Sequence, residues 1–569
     1  MKTLLVAINA KYIHSNPAIY DLRAYAKPYQ EQIELAEYTI NHYMEDILID
    51  IYKKKPQLIA ISCYIWNIRL VRELGQNLNK LLPQVPIWLG GPEVSFESRE
   101  FLKEEVWASG IMAGEGEQTF LELMAYYQEQ KGSLNQIQGL VYRDLADHIQ
   151  VNPPRNWIDL NQVPFAYEDL SGFENRIIYY ETSRGCPFSC SYCLSSVEKK
   201  VRFRDMEKIR EELMFFLKKK VQQVKFVDRT FNCNKEHALQ IWRFIMEHDN
   251  GITNFHFEIG ADLLGEEELE LLSAMRPGLI QLEIGVQSAN PHTIKEIRRQ
   301  MDLDKLETVV GILRRKGNIH QHLDLIAGLP YEDYQSFQKS FDRVYHMKPD
   351  QLQLGFLKVL KGSWMYENAQ SYGLGYKEEA NYEVLYTKWL SYDDIIQLKA
   401  VEHMLEMYYN SGQFQHTLNY FIEKYNSAFH FYKELAIFYE EKNRQMQKLS
   451  RLGKYDLLLE FLIVRFPEFR EQAREYLTLD LYAREKVKSR PVWAKDLSPY
   501  KNQIRQFYKQ EEQDPIYLPE YRGYQAKQMA GMTHIEVFTK IYAQETAVLF
   551  NYAAKDPRSK EADMCEIML

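Results

Sequence analysis

Twice along this 569-residue chain, short apolar runs alternate with longer stretches of helical period, and that repetition narrows the fold more than any other feature. In the first series, strand signals fall at residues 4–8, 58–62, 86–89 and 110–113. Helical stretches follow at 16–26, at 68–82 and from near Gln118. Continuous apolar strands joined by crossover helices belong to parallel sheets buried on both faces. Residues 1–150 therefore read as a doubly wound α/β domain, whose ligands sit beyond the carboxyl ends of its strands. Residues 151–176 carry Pro153, Pro154 and Pro164 with little periodicity, and read as a linker. The second series places strands at 177–182, 223–227, 254–260, 279–285, 320–326 and 351–357, with helices at 205–220, 235–248 and 302–316. Six strands with crossovers predict a partial (β/α)6 barrel over 177–375, with chemistry at the strand C-termini. Beyond 376 the texture turns helical at 396–410, 415–442 and 455–480, and an alternating pair at 534–542 and 546–552 suggests a β-hairpin. Residues 376–569 read as a mainly helical accessory domain.

A chain of this length exceeds what one hydrophobic core usually serves. Its net charge of −9 argues against a protein built wholly around nucleic acid. No apolar run reaches the length of a membrane span. The opening MKTLLVAINAK is apolar too briefly, before Asn9 and Lys11, for a signal peptide. These features predict a cytoplasmic protein without a membrane partner. The six cysteines are too few for a disulfide framework, yet three of them crowd at 186, 190 and 193. Cys63, Cys233 and Cys565 are scattered, and read as buried small hydrophobes.

The crowded set, Cys186-Pro-Phe-Ser-Cys190-Ser-Tyr-Cys193, directly follows a strand, with Gly185 permitting a sharp turn. Three thiolates in a tight loop suit an iron–sulfur cubane and leave one iron open. The alternative, structural zinc, needs four ligands, and no fourth Cys or nearby His supplies one. The spacing C-x-x-x-C-x-x-C resembles the signature of the radical S-adenosylmethionine superfamily, and the likeness runs over about residues 175–360. It implies that Cys186, Cys190 and Cys193 hold a [4Fe–4S] cluster whose open iron binds S-adenosylmethionine. Reductive cleavage of that sulfonium then gives methionine and a 5′-deoxyadenosyl radical, which abstracts hydrogen from substrate.

In the branch that includes oxygen-independent coproporphyrinogen dehydrogenase, cofactor contacts come from successive strand ends. By that pattern the S-adenosylmethionine contacts are Tyr180, Tyr192, Asp228, Glu258, Gln287, Arg299 and Asp324. Tyr192 matches the aromatic behind the adenine, and Glu258 the acid near the ribose and amino group. Asp324 opens a fifth-strand motif that ends in Gly328-Leu329-Pro330. Asp228-Arg229-Thr230 departs from the pattern by replacing a glycine pair, which puts backbone contact to the methionine amino group in doubt. Taken singly, Asp228, Glu258 and Asp324 also read as strand-end or capping carboxylates, and Gln287 as a turn former.

The domain before the barrel resembles the cobalamin-binding domain of one large radical S-adenosylmethionine class. The likeness rests on residues 9–15, residues 62–66, Gly90-Gly91-Pro92-Glu93 and Gly114-Glu115-Gly116-Glu117, each after a strand signal. Glycines there let backbone approach a large flat ring. The implied cobalamin contacts are Asn9, Ser15, Ser62, Trp66, Gly90, Gly91, Gly114 and Glu115. The D-x-H-x-x-G motif of many cobalamin proteins is missing, since Tyr12 and Pro17 stand where Asp and Gly are required. His14 then reads as a loop or substrate contact, and the cofactor as base-off. A vestigial or substrate-binding domain is the alternative. Methylthiotransferases carry three more N-terminal cysteines, and auxiliary-cluster enzymes several after the barrel. Only Cys63 and Cys565 lie there, so one cluster is expected.

The tail resembles an uncharacterised C-terminal domain attached to some cobalamin-type radical enzymes in bacteria, which names no substrate. Within 484–509, eight Lys and Arg face Glu485 and Asp496, interleaved with Trp493, Tyr500, Phe507 and Tyr508. That stretch reads either as a contact for phosphate or nucleobase, or as a solvated helix face over buried aromatics. The function expected is cobalamin-dependent methylation of an unactivated carbon. Alternatives are a radical rearrangement, oxidation or bond cleavage, with or without cobalamin, and modification of an RNA base. A cobalamin carrier or sensor with a silent cluster is a further class. The partners implied are a small-molecule or nucleotide-like substrate and an external one-electron reductant such as flavodoxin or ferredoxin.

Overall fold

A computed structural model describes residues 1–444, 449–556 and 559–569. The chain forms two compact units, one comprising Met1–Ile319, Ile326–Asp333 and Gly355–Tyr392, the other His320–Leu325, Tyr334–Leu354 and Asp393–Leu569.

The first unit opens with a seven-stranded sheet: β1 (Thr3–Asn9), β2 (Ile33–Thr39), β3 (Leu58–Ser62), β4 (Ile87–Gly90), β5 (Gly110–Met112), β6 (Leu140–Arg143) and β7 (Ile149–Val151), in the order β2-β1-β3-β4-β5-β6-β7. The first five in sequence are parallel, and β6 and β7 add antiparallel at one side. Both faces are buried: Leu4, Val6 and Ile8 enter one core layer, Leu5 and Ala7 the other. Helices Ile68–Leu81 and Glu117–Glu129 cover opposite layers, through Val71, Leu74 and Leu78 and through Phe120, Leu123 and Met124. The connections after β1 and β3 diverge, because β1 has β2 on one side and β3 on the other. That switch point opens a crevice at the strand C-termini. Three of these strands have no counterpart in the sequence reading. β2 is an edge strand of sequence IELAEYT, too polar to stand out as an apolar run, and β6–β7 is a short antiparallel pair.

The same unit continues with β8 (Ile177–Tyr180), the short ribbon β9 (Ser183–Arg184) and β10 (Arg202–Phe203), then β11 (Gln223–Phe226), β12 (Asn254–Ile259) and β13 (Ile280–Gln287). Strands β8, β11, β12 and β13 are adjacent in that order and parallel. Their helices start where a side chain can accept an orphan N–H: Asp205 from Glu207, Asn234 from His237 and Asp302 from Lys305. Alternation along the strands buries Val224, Phe226, Phe255, Phe257, Leu282 and Ile284, while Lys225, Glu258 and Glu283 take the other face. β9 and β10 pair antiparallel, and the three crowded cysteines lie in the excursion between them. At β8 the sheet does not end on bare backbone, because Ile177 N donates to Ile13 O at 2.8 Å and His14 bridges Ile177. The loop after β1 thus lies along the outer edge of β8.

In the second unit, β14 (His320–Ala327) and β15 (Gln351–Phe356) are neighbours for most of their length, so all six expected barrel strands exist. The rest is helical, with an antiparallel sheet of Thr533–Phe538, Thr546–Lys555 and Ala562–Ile567. The expected hairpin forms, but its first strand stops at Phe538 and a third strand joins it. The helix expected over 415–442 is two helices, Gln415–Ile422 and Ala428–Glu441, because Ser427 accepts from His430 N and starts the second. Phe507 and Tyr508 are buried in the core of this unit, Trp493 donates to Asp456, and Arg490 pairs with Glu536. These four side chains of the basic and aromatic stretch are engaged within the unit. Among the described residues, no helix is long and apolar enough to cross a membrane.

Candidate active site

Backbone hydrogen bonds and one glycine turn shape the cysteine loop. Gly185, at φ +93°, turns it: a Cβ there would stand 2.5 Å from Lys200 O, so no other residue fits. Cys186 N donates to Glu198 O at 3.0 Å, and Cys193 N to Cys190 O at 3.1 Å. Ser191 N is held by Ile297 O at 2.9 Å. Around the thiols, Thr230 Oγ1 is 3.6 Å from Cys186 Sγ, and Arg299 Nη1 reaches Cys190 Sγ at 3.8 Å and Tyr192 Oη at 3.3 Å. The second guanidinium nitrogen of Arg299 donates to Gly285 O at the end of β13. Tyr192 and Arg299, both named from sequence, therefore meet beside one cysteine. Among the described residues, no three His, Cys, Asp or Glu side chains are arranged to hold a single metal ion.

Gln287 closes β13 in the left-handed region at φ +71°. Its Oε1 is buried with no partner among the described residues. A strained strand end with an unpaired amide oxygen, next to the Arg299–Gly285 bond, marks a place where a ligand donor is missing. Glu258, one residue from the end of β12, lies opposite Glu283 in register, and Glu283 binds Lys225 Nζ at 2.8 Å. Asp228 has a different occupation: Thr182 N, Thr182 Oγ1 and Ser183 Oγ donate to it at 3.0, 2.6 and 2.6 Å. It braces the turn that feeds the cysteine loop. Tyr180 is spent as well, donating to Glu212 at 2.6 Å. Asp324 lies on β14 in the second unit, 3.1 Å from His322.

At the C-terminal edge of the first sheet lies a cavity of about 310 Å³. Ser62, Gly90, Gly91, Gly114 and Glu115 line it, as the sequence suggested. Gly114 has φ +82° and no atom within 4 Å of where a Cβ would stand, so the empty space lies directly against its backbone. Three other candidates lie outside. Asn9 donates to His14 O and Glu37, Ser15 ties the loop to Ile177 O, and Trp66 stacks on Tyr64 while donating to Ile8 O. Each shapes the rim without lining the cavity. His14 is not in the lining either; it stands edge-on to Tyr179, centroids 5.7 Å apart.

Sequence reasoning missed the far wall. Tyr179, Tyr180, Glu181 and Arg184 of the barrel, with Phe165 and Tyr167 of the expected linker, face the glycines across the cavity. Asp21, on helix Pro17–Tyr25, also lines it, and burial holds its carboxyl well above the usual range against the pull of Arg184. Glu115 points away from the glycines into two arginines: Arg184 Nη1 at 3.1 Å and Arg202 Nη2 at 2.7 Å, with Ile158 N at 2.8 Å.

Family comparisons match this layout. The profile described as B12 binding domain matches residues 3–124, and that of the Radical SAM superfamily matches 180–344, spanning the cysteine loop. The chain carries a radical S-adenosylmethionine domain. A third profile, a protein family of unknown function (DUF4080), matches residues 370–551. An uncharacterized methyltransferase of Pyrococcus horikoshii is 25% identical over 378 residues, covering 63% of this chain and 77% of that protein. The cobalamin-dependent radical SAM methyltransferase TokK of Streptomyces tokunonensis is 24% identical over 314 residues, and the match spans 50% of this chain and 44% of TokK. Among solved structures, the cobalamin-dependent radical enzyme OxsB superposes with TM-score 0.59 at 14% identity, covering 84% of this chain and 83% of that one. These matches agree with α/β units carrying parallel sheets and a helical C-terminal region.

The cofactors of this enzyme are a [4Fe–4S] cluster, S-adenosylmethionine and cobalamin. The residues present fit them: three thiols in one loop, Cys190 beside a guanidinium, a strand end with an unsatisfied amide oxygen, and a cavity bounded by bare glycine backbone.

The brace under the cysteine loop titrates. Burial raises Asp228 to about 6, against the hydrogen bonds from Ser183 and Thr182. Burial pushes His237, 3.1 Å from Thr182 Oγ1, down to about 4. A carboxyl with a raised folded pKa contributes stability below its unfolded value and loses it as pH rises through about 6. A histidine with a depressed one contributes above about 6.5 and loses it as pH falls through about 4. Between these limits the two slopes oppose. In His237→Phe only the Asp228 slope remains, so stability should fall by roughly 2 kcal/mol from pH 4 to 6.5, while the parent stays flatter. Parallel urea-melt pH profiles for the two proteins would refute the assignment.

Proposed function

We propose that this enzyme methylates an unactivated carbon of a small-molecule or nucleotide-like substrate, with cobalamin as methyl carrier. The observation that carries the reading is the shared wall: the glycine-lined cavity of the first sheet is also lined by Tyr179 and Tyr180 of the first barrel strand and by Glu181 and Arg184 just after it. When bound, the cluster supplies the electron that cleaves S-adenosylmethionine, and cobalamin supplies a transferable methyl group. The chain's own part is placement. Cys186, Cys190 and Cys193 hold the cluster, and Gln287, Glu258, Tyr192 and Arg299 bind and orient S-adenosylmethionine. Ser62, Gly90, Gly91 and Gly114 admit the corrin, base-off, since His14 does not line the cavity. The apolar walls, among them Leu5, Phe165 and Val227, exclude water from the radical. The division 1–150, 151–176, 177–375 and 376–569 belongs to the same reading, as does an external reductant of flavodoxin or ferredoxin type.

A second reading has support, because the anaerobic magnesium-protoporphyrin IX monomethyl ester cyclase of Rubrivivax gelatinosus is 22% identical over 316 residues. That name denotes ring closure rather than methyl transfer. Anaerobically reconstituted enzyme, given S-adenosylmethionine labelled in its methyl group and fractionated small-molecule extract, should yield a product that carries the label. A product that has lost hydrogen or gained oxygen without the label would overturn methylation and favour the second reading.

A further inference from the structure

The cysteine loop is an excursion with two feet, Arg184 at its start on β9 and Arg202 at its end on β10. Both feet grip one carboxylate of the other domain. Glu115 Oε1 takes Arg184 Nη1 at 3.1 Å and Arg202 Nη2 at 2.7 Å, and Arg202 Nη1 reaches Glu115 Oε2 at 3.2 Å. The feet are themselves locked. Arg184 also holds Glu117 at 2.5 Å and Glu181 at 2.8 Å, while Arg202 holds Glu198 at 2.9 Å and lies over the Trp157 ring. Glu198 carries the connection inward, since its carbonyl accepts the amide of Cys186. Side-chain exposure is low throughout: 12% for Glu115, 16% for Arg184 and 11% for Arg202, so solvent screens these pairs little. On the other side, Glu115 is flanked by Gly114 and Gly116, which line the cavity.

We infer that Glu115 is a positioning residue that couples the two metal-cofactor sites, so that cluster assembly tightens cobalamin binding and cobalamin tightens cluster retention. This rests on the reading of the cavity as the cobalamin site. The physical basis is direct. A cofactor pressed against 114–116 fixes the Glu115 backbone, and Glu115 fixes both ends of the loop that presents the thiols. A cluster held by the three thiols narrows the positions open to the loop's feet, and through Glu115 those open to the Gly114–Gly116 turn. By linkage the two effects are equal in size.

The test is equilibrium binding of hydroxocobalamin, followed by its visible absorbance, to cluster-loaded protein and to the cluster-free Cys186→Ala/Cys190→Ala/Cys193→Ala variant. The cluster-free form should bind at least about 5-fold more weakly, the lower end of usual coupling. In Glu115→Gln the ratio between loaded and cluster-free forms should collapse toward one, whatever happens to the absolute affinity; a merely structural role would shift both forms alike. Arg202→Lys, which keeps the charge but cannot bridge two carboxylates in a fork, should reduce the ratio without removing it and serves if Glu115→Gln does not fold. Equal affinities in the two parent forms, or an unchanged ratio in the variants, would overturn the coupling alone. Absence of binding in both forms would overturn the cobalamin assignment along with it.

Discussion

Alanine at Cys186, Cys190 and Cys193 together should take anaerobically reconstituted protein from about four irons per chain to none, with loss of the brown charge-transfer absorbance. The effect is all-or-none because no other group can substitute. Cys63 is fully buried in the first sheet's core, and Cys565 lies in the C-terminal sheet. Cys233 is the one thiol close enough to Cys186 to sense its charge, and it sits on its own short turn, with burial pushing it up to about 11. The variant should still fold, since the loop's backbone bonds, Cys186 N to Glu198 O among them, do not involve sulfur. Its release of 5′-deoxyadenosine under a strong reductant should be undetectable. Retention of about four irons would place the cluster elsewhere and remove the basis of the functional reading.

Arg299→Gln should leave the iron count intact and lower the potential at which the cluster is reduced. The guanidinium lies 3.8 Å from Cys190 Sγ. A unit charge at about 4 Å is worth ~4 kcal/mol at an effective dielectric near 20. For a one-electron couple that corresponds to a negative shift on the order of 100 mV, once delocalisation over the cluster is allowed for. Removing the cation destabilises the extra electron, so cleavage of S-adenosylmethionine at fixed reductant should slow by more than about tenfold. An EPR-monitored redox titration reads the shift. Coincident midpoints in parent and variant would show that Arg299 only braces Tyr192 and Gly285.

Much of this architecture was legible because burial on both faces of a parallel sheet writes apolar runs, as at 4–8 and 58–62. What was lost lacks that imprint. β2 is an edge strand carrying Glu34 and Glu37, and β9 and β10 are two residues each, too short for any period. At the site, the cysteines and glycines could be read because their chemistry or backbone demands the residue type. Asp228 and Tyr180 carry no such mark, because a carboxylate or phenol at a strand end looks the same in sequence whether or not it also bonds protein partners, here Thr182 and Glu212. Arg184, Arg202 and Asp21 were invisible for the opposite reason: their role comes from partners 69, 87 and more than a hundred residues away.

The loop that runs from β1 along β8 has a consequence for how the chain is made. β8 is the outermost strand of the barrel sheet in the first unit, and a bare parallel edge invites pairing with another chain. The strip that covers it, around Ile13 and His14, is synthesised some 160 residues earlier and belongs to a sheet whose own strands are already complete. As the ribosome delivers β8, its cover is in place, so vectorial synthesis hides the sticky edge at the moment it appears. The N-terminal domain thus chaperones, in cis, the barrel with which it shares a wall.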